Sequence, residues 1–167
     1  WELCICDDNS SAVSVKTILR SYQSSDPRVK LIFREKNGHI CEASNDALRM
    51  ATGEYVALLD HDDILADNAL YWVARELQKK PQANLIYSDE DKVNDDGMRA
   101  CPHFKPAFNI DLLLSYNFIS HLGVYRREIL KQIGGFRVGF EGSQDHDLAL
   151  RTVLESSPDQ IIHIPRV

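Results

Sequence analysis

Tyr55-Val56-Ala57-Leu58-Leu59-Asp60-His61-Asp62-Asp63 is the stretch on which the fold turns. Five consecutive apolar residues predict a strand covered on both faces, the habit of a parallel sheet. The strand runs straight into an acidic turn. In open α/β sheets ligands bind beyond the carboxyl ends of the strands, so these carboxylates fall where a ligand would sit. Like charges gathered there repel one another unless a cation or hydrogen-bond donors offset them. Hard oxygen donors suit Mg²⁺ or Mn²⁺, and Mg²⁺ takes one or two carboxylates together with phosphate oxygens. Asp60 and Asp62 therefore suit a metal-bound diphosphate, although a bare Asp-x-Asp is also common in plain surface turns. An EF-hand is excluded, because the sixth position counted from Asp60 is Leu65 rather than Gly and the twelfth is Tyr71 rather than Glu. Neither a dinucleotide fingerprint nor a P-loop occurs anywhere in the chain.

Upstream, Leu3–Cys6 reads as a strand that ends in a second acidic turn, Asp7-Asp8-Asn9-Ser10. Ala12, Val15, Ile18, Leu19 and Tyr22 then fall on one helical stripe. A short strand follows at Val29–Phe33, a turn at Asn37-Gly38, and a second helix marked by Cys41, Ala47, Leu48 and Ala51, with Gly53 expected at its C′ position. Downstream, Asp67 or Asn68 can cap a helix that stops before Pro81. Asn84–Ser88 reads as a strand and Asp89–Cys101 as a polar loop. Short helices are expected at Phe108–Tyr116 and Glu128–Ile133, with a strand at His121–Tyr125 between them. A glycine-containing loop, Arg137–Gln144, leads to a helix over Asp145–Glu155, and Gln160–Pro165 reads as a last strand. Strands alternating with helices predict an α/β sheet, largely parallel.

The chain has 167 residues, 44% of them apolar and 26% charged, the balance of a soluble globular domain. A net charge of −6 argues against a nucleic-acid partner, which would need a basic surface. No apolar run approaches the ~20 residues of a membrane-spanning helix. Cys4, Cys6, Cys41 and Cys101 lack zinc-site spacing and are expected as buried thiols in a reducing, intracellular compartment. Taken singly, Asp145 reads as a first-turn carboxylate favoured by the helix dipole, and His39, His103, His121 and His163 as scattered polar residues.

Several of these fragments occur together in one family. Cys6-Asp7-Asp8-Asn9-Ser10, Asn37-Gly38, Ala43-Ser44-Asn45-Asp46-Ala47-Leu48, Ala51-Thr52-Gly53-Glu54-Tyr55-Val56, Leu59-Asp60-His61-Asp62-Asp63, Gly134-Gly135-Phe136 and Gln144-Asp145-His146-Asp147-Leu148 follow in order along nearly the whole chain. In this order they resemble family 2 glycosyltransferases of the GT-A fold, most of all the bacterial transferases of lipopolysaccharide O-antigen and other surface glycans.

The resemblance implies an inverting transfer from a nucleotide-diphosphate sugar, UDP-linked foremost, to a glycan or lipid-linked glycan, with Mn²⁺ or Mg²⁺ as cofactor. It implies that Asp8 reads the nucleotide base, with Asn37 and Gly38 at the nucleotide-sugar site. Asp60 lies near the ribose, Asp62 with Asp60 serves the metal and diphosphate, and Asp145 is the catalytic base. His121, Glu141 and Gln144 are the expected acceptor contacts. The family commonly has Glu-Asp where this chain has Gln144-Asp145, and His163 poorly matches a downstream histidine used by some relatives. The family's first strand would precede Trp1, so residues 1–167 are expected to be one domain cut at both ends from a longer chain. Its expected location is the cytoplasm, peripherally at the inner face of the plasma membrane. Two other readings of the residues are a non-catalytic sugar-nucleotide or glycan-binding module and a metal-dependent nucleotidyltransferase.

Overall fold

The computed structural model describes residues 1–167. Strand β1 (Leu3–Asp7) is followed by α1 (Val13–Ser25), β2 (Val29–Phe33) and α2 (His39–Met50). Then come β3 (Tyr55–Ala57), α3 (Ala69–Lys79), β4 (Leu85–Ser88), β5 (Glu90–Val93) and β6 (Arg99–His103). The last third holds α4 (Ile110–Ser115), β7 (Gly123–Arg126), α5 (Arg127–Gln132), α6 (Gln144–Leu154) and β8 (Ile161–Ile164), with a 3₁₀ turn at Pro158–Gln160.

β1 and β2 pair in parallel as a two-stranded sheet. The central sheet has the order β3-β7-β4-β8. β7 runs against both of its neighbours, while β4 and β8 are bonded in parallel. Three of the four strands thus share one direction, and the reversed strand is the one expected at His121–Tyr125. Alternation along β4 explains the layering, because successive side chains point to opposite faces. Leu85 and Tyr87 enter a core shared with Cys41 of α2, Leu113 of α4, Leu130 of α5 and Leu148, Ala149 and Val153 of α6. Ile86 points the other way, joining Val124, Ile164 and, from α3, Trp72, Val73 and Leu77. Each of these large side chains contributes roughly 1.5–3 kcal/mol by leaving water.

Four expectations are corrected. The apolar run at 55–59 is a strand only over Tyr55–Ala57, with Ala57 and Leu59 exposed, because β3 is the edge of the sheet rather than its middle. The loop expected at Asp89–Cys101 is an antiparallel hairpin, β5–β6, closed by a turn in which the Asn94 side chain accepts the N–H groups of Asp96 and Met98. Both its faces carry charged or polar groups, so it lacks the apolar alternation that marks a half-buried strand. Cys101, on that hairpin, is exposed rather than buried, whereas Cys41 is fully buried and Cys4 and Cys6 are half-buried; all four are free. Finally, α2 ends at Met50 with an extended Ala51, and Gly53 does not terminate it. Its N–H instead donates to Glu2 Oε1 at 2.8 Å, as does that of Thr52, which ties the start of β1 to the start of β3.

Candidate active site

The two acidic turns follow two different strands, β1 and β3. After β1 the chain reverses through Asn9 in the left-handed region, φ 63°, a conformation that asparagine tolerates. Beside it, Asp8 accepts the Gly38 N–H at 2.9 Å on Oδ1 and 3.2 Å on Oδ2, and Asn37 Nδ2 donates to the Asp8 carbonyl at 3.0 Å. Arg34 Nε lies 3.0 Å from Asp8, and the same guanidinium also pairs with Glu42 and Asp46. Asp8, Asn37 and Gly38 are thus one hydrogen-bonded corner at the start of α2, backed by Arg34, which carries no local signal in the sequence.

α6 carries Asp145 in its first turn. Asp145 is held from below by Gln144, whose Nε2 donates to Asp145 Oδ2 at 3.0 Å while its Oε1 accepts the Gly142 N–H at 2.6 Å. Gln144 is only 7% exposed and both ends of its amide are engaged. Its side chain thus lies against the Asp145 carboxylate. Burial pushes the Asp145 carboxyl above the usual range, and the charge of Asp60 adds to this, against opposing contributions from His121 and the Gln144 hydrogen bond. Glu141 precedes Asp145 on an exposed loop, where it accepts the Gly139 N–H at 3.0 and 3.1 Å and its carboxyl is held low by backbone hydrogen bonds.

Helix α6 is anchored one turn on. Asp147 is buried between Arg137 and Arg151, and Arg151 also donates to the carbonyls of Ile133 (2.8 Å) and Gly135 (2.7 Å). Burial alone would raise the Asp147 carboxyl, but the two arginines outweigh it and hold it low. Asn45 of α2 binds the same loop, accepting the Phe136 N–H at 2.9 Å and donating to the Phe136 carbonyl at 2.8 Å. Thus the Gly134-Gly135-Phe136 segment locks α2 to the loop that delivers Asp145.

At the end of β3 the structure groups Asp60, Asp63 and His121, whose donor atoms all lie within 4.8 Å of one another. His121 Nε2 is 3.6 Å from Asp60 and its Nδ1 is 3.5 Å from Asp63. Asp62 stands outside this group, 76% exposed, with His61 Nδ1 3.8 Å away. His121, expected on the acceptor side, stands among the acidic-turn carboxylates. Asp63 was not singled out at all. A cavity of about 730 Å³ opens beside the group, with Asp62, Asp63, His121, Glu90 and Trp72 in its wall. His163 is occupied elsewhere, 2.8 Å from Asp89 Oδ1 and stacked on Tyr87.

A family model described as "Glycosyl transferase family 2" matches residues 1–134. The chain belongs to glycosyl transferase family 2. Among relatives of this family 2 chain, the O-antigen biosynthesis protein RfbC of Myxococcus xanthus is 37% identical over 164 residues, covering 98% of this chain and 13% of RfbC. Staphylococcus aureus TarS residues 1–349, solved in complex with UDP, superposes with a TM-score of 0.79 at 22% identity over 98% of this chain and 48% of that one. The Pyrobaculum calidifontis mannosyltransferase PcManGT, solved with GDP-Man and Mn²⁺, gives a TM-score of 0.68 at 20% identity over 98% and 47%. The fold is GT-A, and this family 2 domain spans less than half the length of each of these proteins. None of its helices is long and apolar enough to cross a membrane.

Proposed function

We propose that this domain moves a sugar from a nucleotide-diphosphate donor, UDP-linked foremost, to a hydroxyl of a glycan or lipid-linked glycan, with inversion at the anomeric carbon. In this reading it serves the synthesis of a cell-surface polysaccharide or lipopolysaccharide, in the cytoplasm at the inner face of the plasma membrane. The observation that carries the reading is the grouping of Asp60, Asp63 and His121 just after β3, beside the half-buried carboxylate that Gln144 holds on the first turn of α6 in a chain of this family. The names and bound molecules of the similar proteins support it: RfbC for O-antigen, TarS with UDP, and PcManGT with GDP-Man and Mn²⁺.

Each residue then has a role. Asp8 accepts the ring N–H of the base, at the corner built with Asn37 and Gly38. Asp60 and Asp62 lie along the ribose and diphosphate. A divalent cation, Mn²⁺ or Mg²⁺, fits the donors here, since two carboxylates and one imidazole lie within 4.8 Å and His121 Nδ1 has no hydrogen-bond partner. When bound, it supplies stabilisation of the negative charge that grows on the leaving diphosphate. Asp145 accepts the proton of the acceptor hydroxyl as that oxygen bonds to the anomeric carbon; the bond from that carbon to the diphosphate oxygen breaks, its electron pair leaving with the diphosphate. The raised pKa makes Asp145 a stronger base than an exposed carboxylate, and Gln144 orients it. Glu141 lies on the acceptor side of this base.

Product analysis of the full-length protein with UDP-, dTDP- and GDP-sugars, Mn²⁺ and a glycan acceptor tests the reading. Glycosylated acceptor and released nucleoside diphosphate are expected. Donor binding with neither transfer nor hydrolysis would mean a binding module, and pyrophosphate released from a nucleoside triphosphate would mean a nucleotidyltransferase; either overturns the proposal.

A further inference from the structure

His121 reaches Asp60 and Asp63 from a segment that has no regular structure, residues 117–122 between α4 and β7. What fixes that segment is an ion pair at the base of the hairpin, between buried Lys105 and half-buried Glu90. The Lys105 side chain is 0% exposed, and its Nζ donates to the carbonyls of Ile119 (2.7 Å) and His121 (2.6 Å) and lies 3.3 Å from Glu90 Oε2. The same Glu90 oxygen accepts the His121 N–H at 3.1 Å. The backbone of His121 is therefore gripped at both its N–H and its carbonyl by one charge pair. Behind the pair, the Lys105 N–H donates to Asp89 Oδ1 at 2.9 Å, and His163 holds the same oxygen from β8. His103 Nδ1 lies 3.3 Å from the other Glu90 oxygen. Burying a lysine costs several kcal/mol unless its charge is paired and its donors are used, and here all three ammonium protons have acceptors. Nothing else in the fold needs an ammonium at this place. Ile119 is packed in the core, so the grip transmits to the one residue of the segment that faces the carboxylates.

We propose that Lys105 and Glu90 are positioning residues, which hold the 119–121 backbone so that the His121 imidazole completes a three-residue cation site with Asp60 and Asp63. The inference deepens the glycosyl-transfer reading and rests on its cation. It gives the β5–β6 hairpin a task, since both residues of the pair lie at its base, one on β5 and one just after β6. It also makes His121 a ligand rather than an acceptor contact.

Mn²⁺ binding to the full-length protein, measured by calorimetry or electron paramagnetic resonance with and without UDP, tests it. Lys105→Met alone would leave the half-buried Glu90 carboxylate without its ammonium, so the main variant is Lys105→Met with Glu90→Met, which removes both charges together. Glu90→Gln, nearly isosteric, tests the same grip should that variant not fold. The expected loss of Mn²⁺ affinity is about 10–100-fold, the size seen when partners behind a metal ligand are removed, with metal-free UDP binding unchanged. Added to His121→Ala, either change should cost no further Mn²⁺ affinity, because the grip acts only through that imidazole. Undiminished Mn²⁺ affinity, or losses that add to that of His121→Ala, would overturn the positioning role while leaving the cation reading intact. A wild-type protein that binds no Mn²⁺ even with UDP would overturn both.

Discussion

Asp145 is poised between stability and chemistry. A carboxyl whose pKa is raised in the fold binds its proton more tightly folded than unfolded. In its ionised form, above the folded pKa, it therefore costs stability, a cost that disappears as pH falls toward the ordinary value near 3.9. Asp145→Asn should thus leave the thermal midpoint of the full-length protein equal or higher at neutral pH, while lowering turnover by about 10²–10⁴-fold, the usual contribution of a general base. Calorimetry beside an initial-rate assay checks this, and a lowered midpoint with unchanged turnover would make Asp145 a structural residue. For the same reason the acid limb of the wild-type turnover profile should sit above that ordinary value, since the base must be ionised to accept a proton. The sequence made Asp145 visible through its place after a glycine loop and the family resemblance. It could not reveal the burial that raises its pKa, nor that Gln144 spends its amide on orienting it, because both depend on which side of α6 faces the core.

Elements position the site through a few tight joints. Gly134 and Gly135 both have positive φ, +80° and +69°, but only at Gly135 would a Cβ run into Asn45 Oδ1; at Gly134 it would meet nothing within 4 Å. Each Gly→Ala change pays the left-handed cost of about 1–2 kcal/mol, and Gly135→Ala must also displace the Asn45 side chain from Phe136. Gly135→Ala should therefore be the more destabilising of the two in chemical denaturation, with α2 loosened from the loop before α6. Equal losses would contradict a role for this joint. The Gly-Gly-Phe motif and Asn45 were both legible as sequence fragments, yet their partnership spans 91 residues and has no local signal. The β5–β6 hairpin was misread for a related reason: strands that are polar on both faces look like loop. With it went Lys105 and Glu90, whose meaning lies wholly in the segment they hold. Likewise the apolar run before Asp60 correctly marked a strand and its acidic end, but composition does not distinguish a central strand from an edge.

At the scale of the molecule, the α/β plan, the order of most elements and the residues of the acidic turns could be read from the chain alone, because periodicity and strand-end chemistry are local. Convergence could not. Asp8 is tied to the start of α2, α2 is locked by Asn45 to the loop before α6, α6 presents Asp145, and the central sheet brings Asp60 and His121 toward it. That chain of joints links Asp8 and Asp145, residues 137 positions apart, through hydrogen bonds between their elements. The proposal is that these residues face a single cleft, which holds an activated sugar between a base-reading corner and a proton acceptor. A crystal structure of the full-length protein with UDP and Mn²⁺ tests it most directly. The account predicts uracil against Asp8, the diphosphate over the Asp60, Asp63 and His121 group, and an open path from the outer phosphate to Asp145; a nucleotide seated on another face, or one whose outer phosphate is walled off from Asp145, would contradict it.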